Sequence, residues 1–390
     1  MNTTNPSTPA HGADSGAAAD SSADSAAHTR ADSGADPRGS AATWGLLLVN
    51  LGTPDSAETP DVRKYLRQFL MDGRVLDINA VGRAVLVNGI IGPFRSPKSS
   101  KAYKKVWMPE GSPLLVYTER LLAGVRERLG EAVQVEMAMR YQSPDITTAM
   151  DKFREAGVDR IMIFPLFPHY ASSTTGSAMQ AVMDEVRERW NVPELLTVGP
   201  YYDHPAFINA WVDVAKPILD EAKPDKIVFS YHGVPVRHMT KSDEVGNHCQ
   251  KKPDCCATLC YANRNCYAAQ CRRTTEAVVE ALGIPREKWE QTYQSRLGRD
   301  PWLMPPTDDR LEHLPEEGAK NIAVLCPAFT ADCLETIEEM GMEGREEFLK
   351  AGGEHFALIP CLNEHPSWMN AVVSIAEDYL PKAWTHHRLR

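Results

Sequence analysis

The chain has 390 residues, 43% of them hydrophobic, which is enough for two domains or for one large α/β unit with a tail. Its formal net charge of −10 at pH 7, without a concentrated basic stripe, predicts that it has no nucleic-acid partner. No apolar run approaches the roughly 20 residues that are needed to span a bilayer.

Residues 1–42 differ in composition from the rest of the chain. They are almost entirely Ala, Ser, Asp, Gly, Thr and Pro, and they contain no aromatic residue and no Ile, Leu or Val. Such a segment cannot bury enough apolar surface to offset its ordering entropy, so we expect a disordered, solubilising tail. It has neither the basic and apolar regions of a secretory signal nor the Arg excess of a transit peptide.

From Trp44 onward, short apolar runs alternate with loops rich in Pro, Ser or Gly and with amphipathic helices. The predicted strands are 44–50, 133–139, 160–166 and 195–200 in the first half, and 226–231, 289–295, 321–326 and 355–360 in the second. The same pattern predicts helices that begin near Thr59, with Pro60 at the first position, and at Ser143–Pro144, and a third helix over 177–190.

Continuous apolar strands that alternate with helices indicate parallel sheets covered on both faces. The repeat predicts an α/β fold of two similar doubly wound, Rossmann-type halves with a cleft between them. We assign the halves to residues 43–215 and 216–365, the second with a cysteine-rich insertion over 249–271, and expect a C-terminal helix over 366–380 to pack back on the first half. Ligands of such folds bind beyond the carboxyl ends of the strands. No Gly-x-Gly-x-x-Gly or Walker-type loop is found there, which disfavours a nucleotide site.

A histidine follows one of these strands directly. His232 comes after KIVFSY, and Gly233 after it permits a sharp turn. In the predicted cleft, this imidazole would be placed for proton transfer near neutral pH. For a histidine considered alone, capping of the loop is the alternative.

An acidic pattern follows the strand NIAVLC. Asp332 and Glu335 have the spacing of a capping box, with Asp in place of Ser or Thr. Glu335 and Glu339 are four residues apart, so they face the same side of a helix and suit the passage of a hard cation or of protons. The local pattern leaves both interpretations open.

Together these segments resemble ferrochelatase, the enzyme family that inserts ferrous iron into a porphyrin to make haem. The matching segments run in order from about residue 44 to 380. They are LLLVNLGTPDSAETPDVRKYLRQFLMD, EGSPLLVYT, MRYQSPDI, FPLFPHYASSTTGSA, FSYHGVPVRH, TYQSRLGRDPWLMPPTDD and CPAFTADCLETIEEMGMEGREEF.

The resemblance implies a chelatase-like fold and roles for particular residues. It implies that His232 accepts pyrrole protons or binds the metal during insertion, and that Glu335 is the essential glutamate, with Glu339 as a relay. The residues that it places against the porphyrin are Leu51, Arg140, Tyr141, Trp302 and Asp332.

Two further features bear on the resemblance. Residues 87–107 are similar to the mobile lip of the family, whose lysines would meet porphyrin propionates. Where many relatives read Asp-His, this chain has Asp332-Cys333, which puts a second active-site histidine in doubt.

Six of the nine cysteines lie in the insertion, between Cys249 and Cys271. Some bacterial ferrochelatases carry an internal four-cysteine segment that binds a [2Fe–2S] cluster, and this segment resembles that subgroup. A Cys₄ zinc site is second, because no Cys-x-x-Cys occurs here. Disulfides are disfavoured in a reducing cytoplasm. Catalytic thiols are a further alternative, but they would need a lowered pKa, which a sequence does not show. The preferred ligands are Cys249, Cys256, Cys266 and Cys271, with Cys255 and Cys260 in reserve.

The resemblance predicts a cytoplasmic enzyme that inserts Fe²⁺ into protoporphyrin IX. Coproporphyrin III is the alternative substrate, and a cobaltochelatase is a weaker option. A different class of function is a non-catalytic porphyrin or iron sensor on the same fold. The expected partner is the porphyrin, and peripheral membrane contact and a homodimer are both compatible with the sequence.

Overall fold

The computed structural model of the chain describes residues 44–296, 298, 300–381 and 384. The tail that was predicted for residues 1–42 lies outside the described residues.

The described residues form eight β-strands in two four-stranded sheets, and every strand pair is parallel. The strand order is β2-β1-β3-β4 in the first sheet and β6-β5-β7-β8 in the second. The strands are β1 Trp44–Gly52, β2 Val133–Tyr141, β3 Arg160–Pro165, β4 Glu194–Thr197, β5 Lys226–His232, β6 Trp289–Gln294, β7 Asn321–Leu325 and β8 His355–Leu358. The two orders are equivalent, which confirms the predicted pair of similar α/β halves.

Strand β1 shows how its sheet is covered on both faces. Leu46 and Leu48 belong to one buried cluster, and Leu47 and Val49 belong to another. Because successive side chains of a strand point to opposite faces, both faces of the first sheet are buried. This is why the strands read as continuous apolar runs.

Helices cover the sheets and connect the strands. The α-helices of the described part are α1 Thr59–Leu70, α2 Ala80–Val85, α3 Gly92–Val106, α4 Pro113–Leu129, α5 Ile146–Glu155, α6 Ser177–Arg187, α7 Pro205–Ala222, α8 Val236–Ser242, α9 Tyr267–Leu282, α10 Thr307–His313, α11 Arg345–Lys350 and α12 Pro366–Tyr379. Wider π-helical turns occupy Leu86–Ile91, Ser172–Gly176 and Glu335–Gly344, and short 3₁₀ turns occupy Gly130–Ala132, Tyr261–Asn263 and Arg286–Lys288.

Two helix boundaries differ from the sequence predictions. Helix α1 begins at Thr59 as predicted, but α5 begins at Ile146 instead of Ser143–Pro144. The cause is the Asp145 carboxylate, which accepts the backbone N–H of Thr148 at 2.8 Å and thereby caps the helix later in the chain. Helix α6 ends at Arg187, three residues before the predicted end at residue 190.

One core joins the two sheets. It contains Leu46 of the first sheet and Phe229 of the second, with Trp211 of α7 and Trp368 of α12. The predicted boundary after residue 215 lies inside α7, so the division into halves at that residue stays a prediction. Helix α12 packs on α4 and α7, and the Arg128 guanidinium of α4 donates to the Asn370 side chain of α12 at 2.6 Å.

The carboxyl ends of the two sheets adjoin. After β7, the Thr330 hydroxyl donates to the carbonyl of Leu166, which follows β3, at 3.1 Å. The rings of Tyr231 and His169 lie edge to face, with their centroids 5.4 Å apart. The fold therefore gathers the loops after the strands, where the candidate residues were predicted. Of the helices in the described part, none has both the length and the apolar character to cross a membrane.

Candidate active site

His232 is the last residue of β5, and its ring is held by its own loop. The Nδ1 atom lies 2.6 Å from the carbonyl oxygen of Gly233. A carbonyl can only accept a hydrogen bond, so Nδ1 carries the proton in the neutral imidazole. The lone pair is therefore on Nε2, which is the nitrogen that can accept a proton.

Gly233 is required for a different reason from the one predicted. Its φ is outside the left-handed region, but a Cβ at this position would lie 2.7 Å from the Gln294 carbonyl oxygen and 3.1 Å from Cε3 of Trp302. The missing side chain thus allows the predicted cleft tryptophan to pack beside the histidine loop. The indole N–H of Trp302 is buried without a hydrogen-bond partner.

Glu335 begins the π-helical turn Glu335–Gly344. The side-chain amide of Gln294, the register partner of His232, lies 3.4 Å from the Glu335 backbone carbonyl and so connects the two predicted catalytic residues. The pKa of Tyr65 in α1 is raised, first by burial and then by the negative charge of Glu335. The Glu335 carboxylate therefore lies near α1, in the first half of the chain.

Asp332 holds the approach to this turn without forming a capping box. Its carboxylate is buried and accepts the hydroxyl of Thr336 at 2.8 Å and the side-chain amide of Asn363 at 2.7 Å. The backbone N–H of Asp332 donates to the Asn363 side chain at 2.8 Å and not to Glu335, so the reciprocal capping box does not form and that alternative is wrong. Both oxygens of Asp332 have partners within the chain.

Glu339 is the most perturbed carboxyl group of the site. It accepts a hydrogen bond from the Ser295 hydroxyl at 2.6 Å, next to the end of β6. Burial raises the pKa of Glu339 to about 7, and the charges of Glu335 and Glu343 add to the effect. Glu335, Glu339 and Glu343 follow one another along the element at intervals of four residues. Glu339, in the middle, exchanges its proton near neutral pH.

An apolar and aromatic cluster covers the opposite side. Leu51, at the end of β1, packs in the same cluster as Leu334, the residue before Glu335. The glycine after Leu51 has φ 113°, and a Cβ there would lie 2.0 Å from the carbonyl oxygen of Tyr141. Gly52 therefore allows β1 and β2 to end side by side and sets the position of Leu51.

Arg140 and Tyr141 are bound to a carboxylate that the sequence did not single out. The Oδ2 atom of Asp72 accepts Nη2 of Arg140 at 2.8 Å and the hydroxyl of Tyr141 at 2.9 Å. Burial alone would raise the pKa of Asp72, but hydrogen bonds from Ser177 and from the backbone N–H of Arg74 lower it. Both predicted substrate residues thus belong to an internal network around Asp72, and the Tyr141 side chain is buried. The roles predicted for them stay predictions.

The cysteine-rich insertion forms a hollow of about 460 Å³, which we call the thiol hollow. It is lined by Met239, Cys249, Cys255 and Cys256, among others. The Sγ atom of Cys256 lies 3.6 Å from that of Cys255 and 3.8 Å from that of Cys266.

The six thiols differ in position. Cys266 is the N-cap of α9, and a hydrogen bond from Cys256, together with the amides of Ala269 and Ala268, lowers its pKa to about 7. Cys271 is fully buried further along α9, and Cys260 is exposed. In the arrangement that the structure describes, no three His, Cys, Asp or Glu side chains are close enough together to hold a metal ion.

A family model described as ferrochelatase matches residues 43–380. A ferrochelatase of Coxiella burnetii (strain Dugway 5J108-111) is 42% identical over 336 residues, which cover 86% of this chain and 94% of that protein. A ferrochelatase of Pseudomonas fluorescens (strain Pf0-1) is 44% identical over 333 residues, which cover 85% and 97%.

A solved structure, SirB from Bacillus subtilis with Fe³⁺, aligns with a TM-score of 0.51 and 12% identity, and the alignment covers 88% of this chain and 98% of that one. At this identity, the similarity supports the fold alone. The two sheets described above therefore have the arrangement of a known chelatase structure.

The variant Glu339→Gln is expected to flatten the pH dependence of stability. The folded pKa of about 7 exceeds the usual 4.5, so this carboxyl stabilises the folded state below about pH 4.5, and the effect is lost as the pH rises through about 7. Between pH 5 and pH 8, the free energy of unfolding of the parent protein should fall by about 2 kcal/mol more than that of the variant. Urea denaturation at each pH measures the difference.

Glu346→Gln is the matched control, since Glu346 is exposed on α11 and pairs with Lys350. It should keep the parental pH dependence. An unchanged pH dependence in Glu339→Gln would show that this carboxyl does not have a raised pKa.

Proposed function

Because this chain belongs to the ferrochelatase family and is a metal-inserting lyase, we propose that it inserts Fe²⁺ into protoporphyrin IX and gives haem b. The observation that carries the proposal is the placement of His232 and Glu335 around Gln294, at the carboxyl end of β5 and β6. Metal insertion must remove two protons from the porphyrin while a dication enters. The site therefore needs a base and a path for cations and protons.

His232 supplies the base. Its Nδ1 proton is held by the Gly233 carbonyl, which fixes the tautomer and leaves Nε2 free to accept a pyrrole proton. The bond also fixes the orientation of the ring. A neutral imidazole adds no positive charge to the site before the dication arrives.

The π-helical turn supplies the path. Glu335 is the first carboxylate, and Glu339 lies four residues further along the same element. With its pKa raised to about 7, Glu339 is about half protonated at neutral pH, so it can release or accept a proton with little driving force. A site with a small number of oxygen ligands binds Fe²⁺ more weakly than a closed site of Cys or His ligands would. Weak binding favours delivery of the metal over its storage.

The apolar cluster around Leu51 and Leu334 supplies a wall that binds the macrocycle. Apolar walls exclude water and favour a flat, largely apolar ring. Coproporphyrin III is the alternative substrate. It differs from protoporphyrin IX in carrying two more propionates. A non-catalytic porphyrin or iron sensor is the alternative of a different class.

His232→Ala should abolish most of the activity. Loss of a general base typically lowers the rate by about 100-fold or more, so we expect kcat to fall by at least that factor with protoporphyrin IX and Fe²⁺ or Zn²⁺. Glu335→Gln should also reduce kcat. The measurement is the change in the visible absorption bands of the porphyrin on metal insertion, repeated with coproporphyrin III.

His313→Ala is the matched control. The Nδ1 atom of His313 also lies 2.6 Å from a backbone carbonyl, that of Asp309, but His313 is an exposed residue of α10. Activity should be unchanged. Full activity of His232→Ala would contradict the assignment, faster turnover of coproporphyrin III would replace the substrate, and no turnover with either porphyrin would favour the sensor.

We further propose that the insertion binds a [2Fe–2S] cluster, with zinc as the second candidate. The chemistry of the donor set supports this, because four thiols, those of Cys249, Cys255, Cys256 and Cys266, adjoin the thiol hollow or one another. When bound, the cluster would supply a one-electron redox centre and would cross-link the segment. This geometry supports Cys255 in place of the predicted Cys271, whose fully buried thiol interacts with Tyr267.

Cys266→Ser should remove the cluster. Cys266 contacts Cys256, and both would be ligands, so the visible absorption of the purified protein and its iron and sulfide content should be lost. Cys260→Ser is the control and should keep them, because Cys260 is exposed. Comparison of Cys255→Ser with Cys271→Ser identifies the fourth ligand. Bound zinc without a visible chromophore in the parent protein would contradict the iron–sulfur proposal.

We also propose a cytoplasmic enzyme that contacts the membrane peripherally. The residues Ile78, Val81, Val85, Ile90 and Phe94 are exposed, and we call them the apolar face. Val81 and Phe94 are 75% and 77% exposed, and α3 adds Arg95, Lys98 and Lys101 beside them. Adjacent apolar and basic side chains suit an anionic lipid surface. The homodimer stays a prediction.

The double variant Val81→Asp/Phe94→Asp should weaken vesicle binding. Transfer of each large apolar side chain from water contributes about 1.5–3 kcal/mol, so its loss should reduce the bound fraction by at least about tenfold. Cosedimentation with vesicles of phosphatidylglycerol and phosphatidylcholine measures it. Trp190→Asp removes a 98% exposed apolar residue elsewhere and should have no effect. Equal binding by all three proteins, or none by the parent, would refute membrane contact through this face.

A further inference from the structure

Asp77 lies directly before the apolar face, and helix α8 holds its carboxylate. Arg237 Nη2 lies 2.6 Å from Oδ1, Lys241 Nζ lies 2.6 Å from Oδ2, and His238 Nε2 lies 3.4 Å from Oδ1. The side chain of Asp77 is 12% exposed, so these pairs are partly shielded from water. Three side chains of one short helix therefore converge on a single carboxylate of the first half.

The same helix contacts the thiol hollow with its other side. The Sδ atom of Met239 lies 3.9 Å from Sγ of Cys266. At the end of α8, the Asp243 carboxylate accepts the backbone N–H groups of His248 and Cys249, both at 2.8 Å. The loop that carries Cys249 is thus built on the C-terminal end of α8.

The start of α8 is held close to His232. The backbone N–H of Val236 donates to the Pro301 carbonyl at 2.9 Å, and that of Leu303 donates to the Val234 carbonyl at 3.2 Å. These bonds fix the N-terminal end of the helix to the segment that carries Trp302. A change at the thiol hollow would therefore move the C-terminal end of α8 most, where Lys241 and Asp243 lie.

The far end of the apolar segment is fixed as well. Lys105, near the end of α3, pairs with the buried Glu338 of the π-helical turn at 2.6 Å. The stretch from Asp77 to Lys105 is therefore tied at both ends to the half that carries His232 and Glu335, with the apolar face between the two ties.

We propose that Asp77 is a positioning residue for porphyrin binding: its pairs with Arg237 and Lys241 hold the start of the segment 78–105 at α8, and the Lys105–Glu338 pair joins the end of that segment to the turn that carries Glu335. Helix α8 connects the start of this segment to the thiol hollow. The arrangement of the thiols then acts on substrate binding through a seven-residue helix. The proposal rests on the porphyrin substrate proposed above. It predicts an effect on KM, because no atom of Asp77 takes part in proton or metal transfer.

The test is Asp77→Asn, with two measurements. Hydrogen exchange of the amides of residues 78–94 should become about fivefold faster or more, and KM for the porphyrin should rise by a similar factor at nearly unchanged kcat. Asp77→Glu keeps the charge and should restore both values in large part. Arg237 and Lys241 are partly exposed, so water can solvate them in the variant and the chain should still fold.

Glu136→Gln is the matched control. Glu136 is also a buried carboxylate between two cations, Arg126 and Lys152, but it lies on β2, away from α8. It should leave the exchange of residues 78–94 and KM unchanged. Unchanged exchange in Asp77→Asn, or faster exchange without a change in KM, would overturn the positioning role. Because exchange is measured without porphyrin, its result stands even if the substrate proposal fails.

The connection to the thiol hollow has its own variants, Asp243→Ala and Met239→Ala. Each removes a side chain that joins α8 to the cysteine segment, so each should accelerate exchange at residues 78–94. The double variant Asp77→Asn/Asp243→Ala should add little beyond Asp77→Asn, since both act through the same helix. Faster exchange confined to residues 245–256 in both single variants, or full additivity in the double variant, would overturn the connection.

Discussion

The parallel pairing of β5 with β6 determines the geometry of the candidate site. This register places His232 beside Gln294, whose side chain reaches the backbone of Glu335. The next residue of the chain, Ser295, donates to Glu339. One strand pair thus arranges the proposed base His232 with Glu335 and Glu339. A shift of β6 by a single residue in this register would turn Gln294 to the opposite face of the sheet, away from Glu335.

The sequence predicted the strands and their order along the chain well, because buried parallel strands are continuous apolar runs that need no partner to be recognised. Interactions between distant residues were not predictable in this way. Asp332 is held by Asn363, which lies 31 residues later, and Arg140 is held by Asp72, which lies 68 residues earlier. The spacing of Asp332 and Glu335 resembles a capping box, but the Asn363 side chain bonds both the backbone N–H and the carboxylate of Asp332 instead.

The thiols illustrate a second limit of sequence proximity. Cys266 and Cys271 enclose a compact segment, which made them the safest pair on spacing alone. In the structure, Cys266 caps α9 and Cys271 lies five residues further along the helix. Residues five apart in an α-helix point about 140° away from each other, so the two thiols face different surroundings. Cys255, which was predicted only as a reserve ligand, lines the thiol hollow together with Cys256.

The faces of β5 separate the cysteine segment from the carboxylates of the candidate site. Tyr231 points to α9, where its hydroxyl lies 2.8 Å from that of Thr275, whereas Ser230 points to the π-helical turn, 3.6 Å from Sδ of Met340. Side chains alternate along a strand, so His232 shares the face of Ser230. The helix that Cys266 caps and the carboxylates therefore lie on opposite faces of the second sheet. Thiolates hold iron tightly and carboxylates hold it weakly. In the proposed reaction, this separation would keep the entering Fe²⁺ away from ligands that would retain it. Helix α8, which follows His232 and ends at the cysteine loop, is the element through which one face can influence the other.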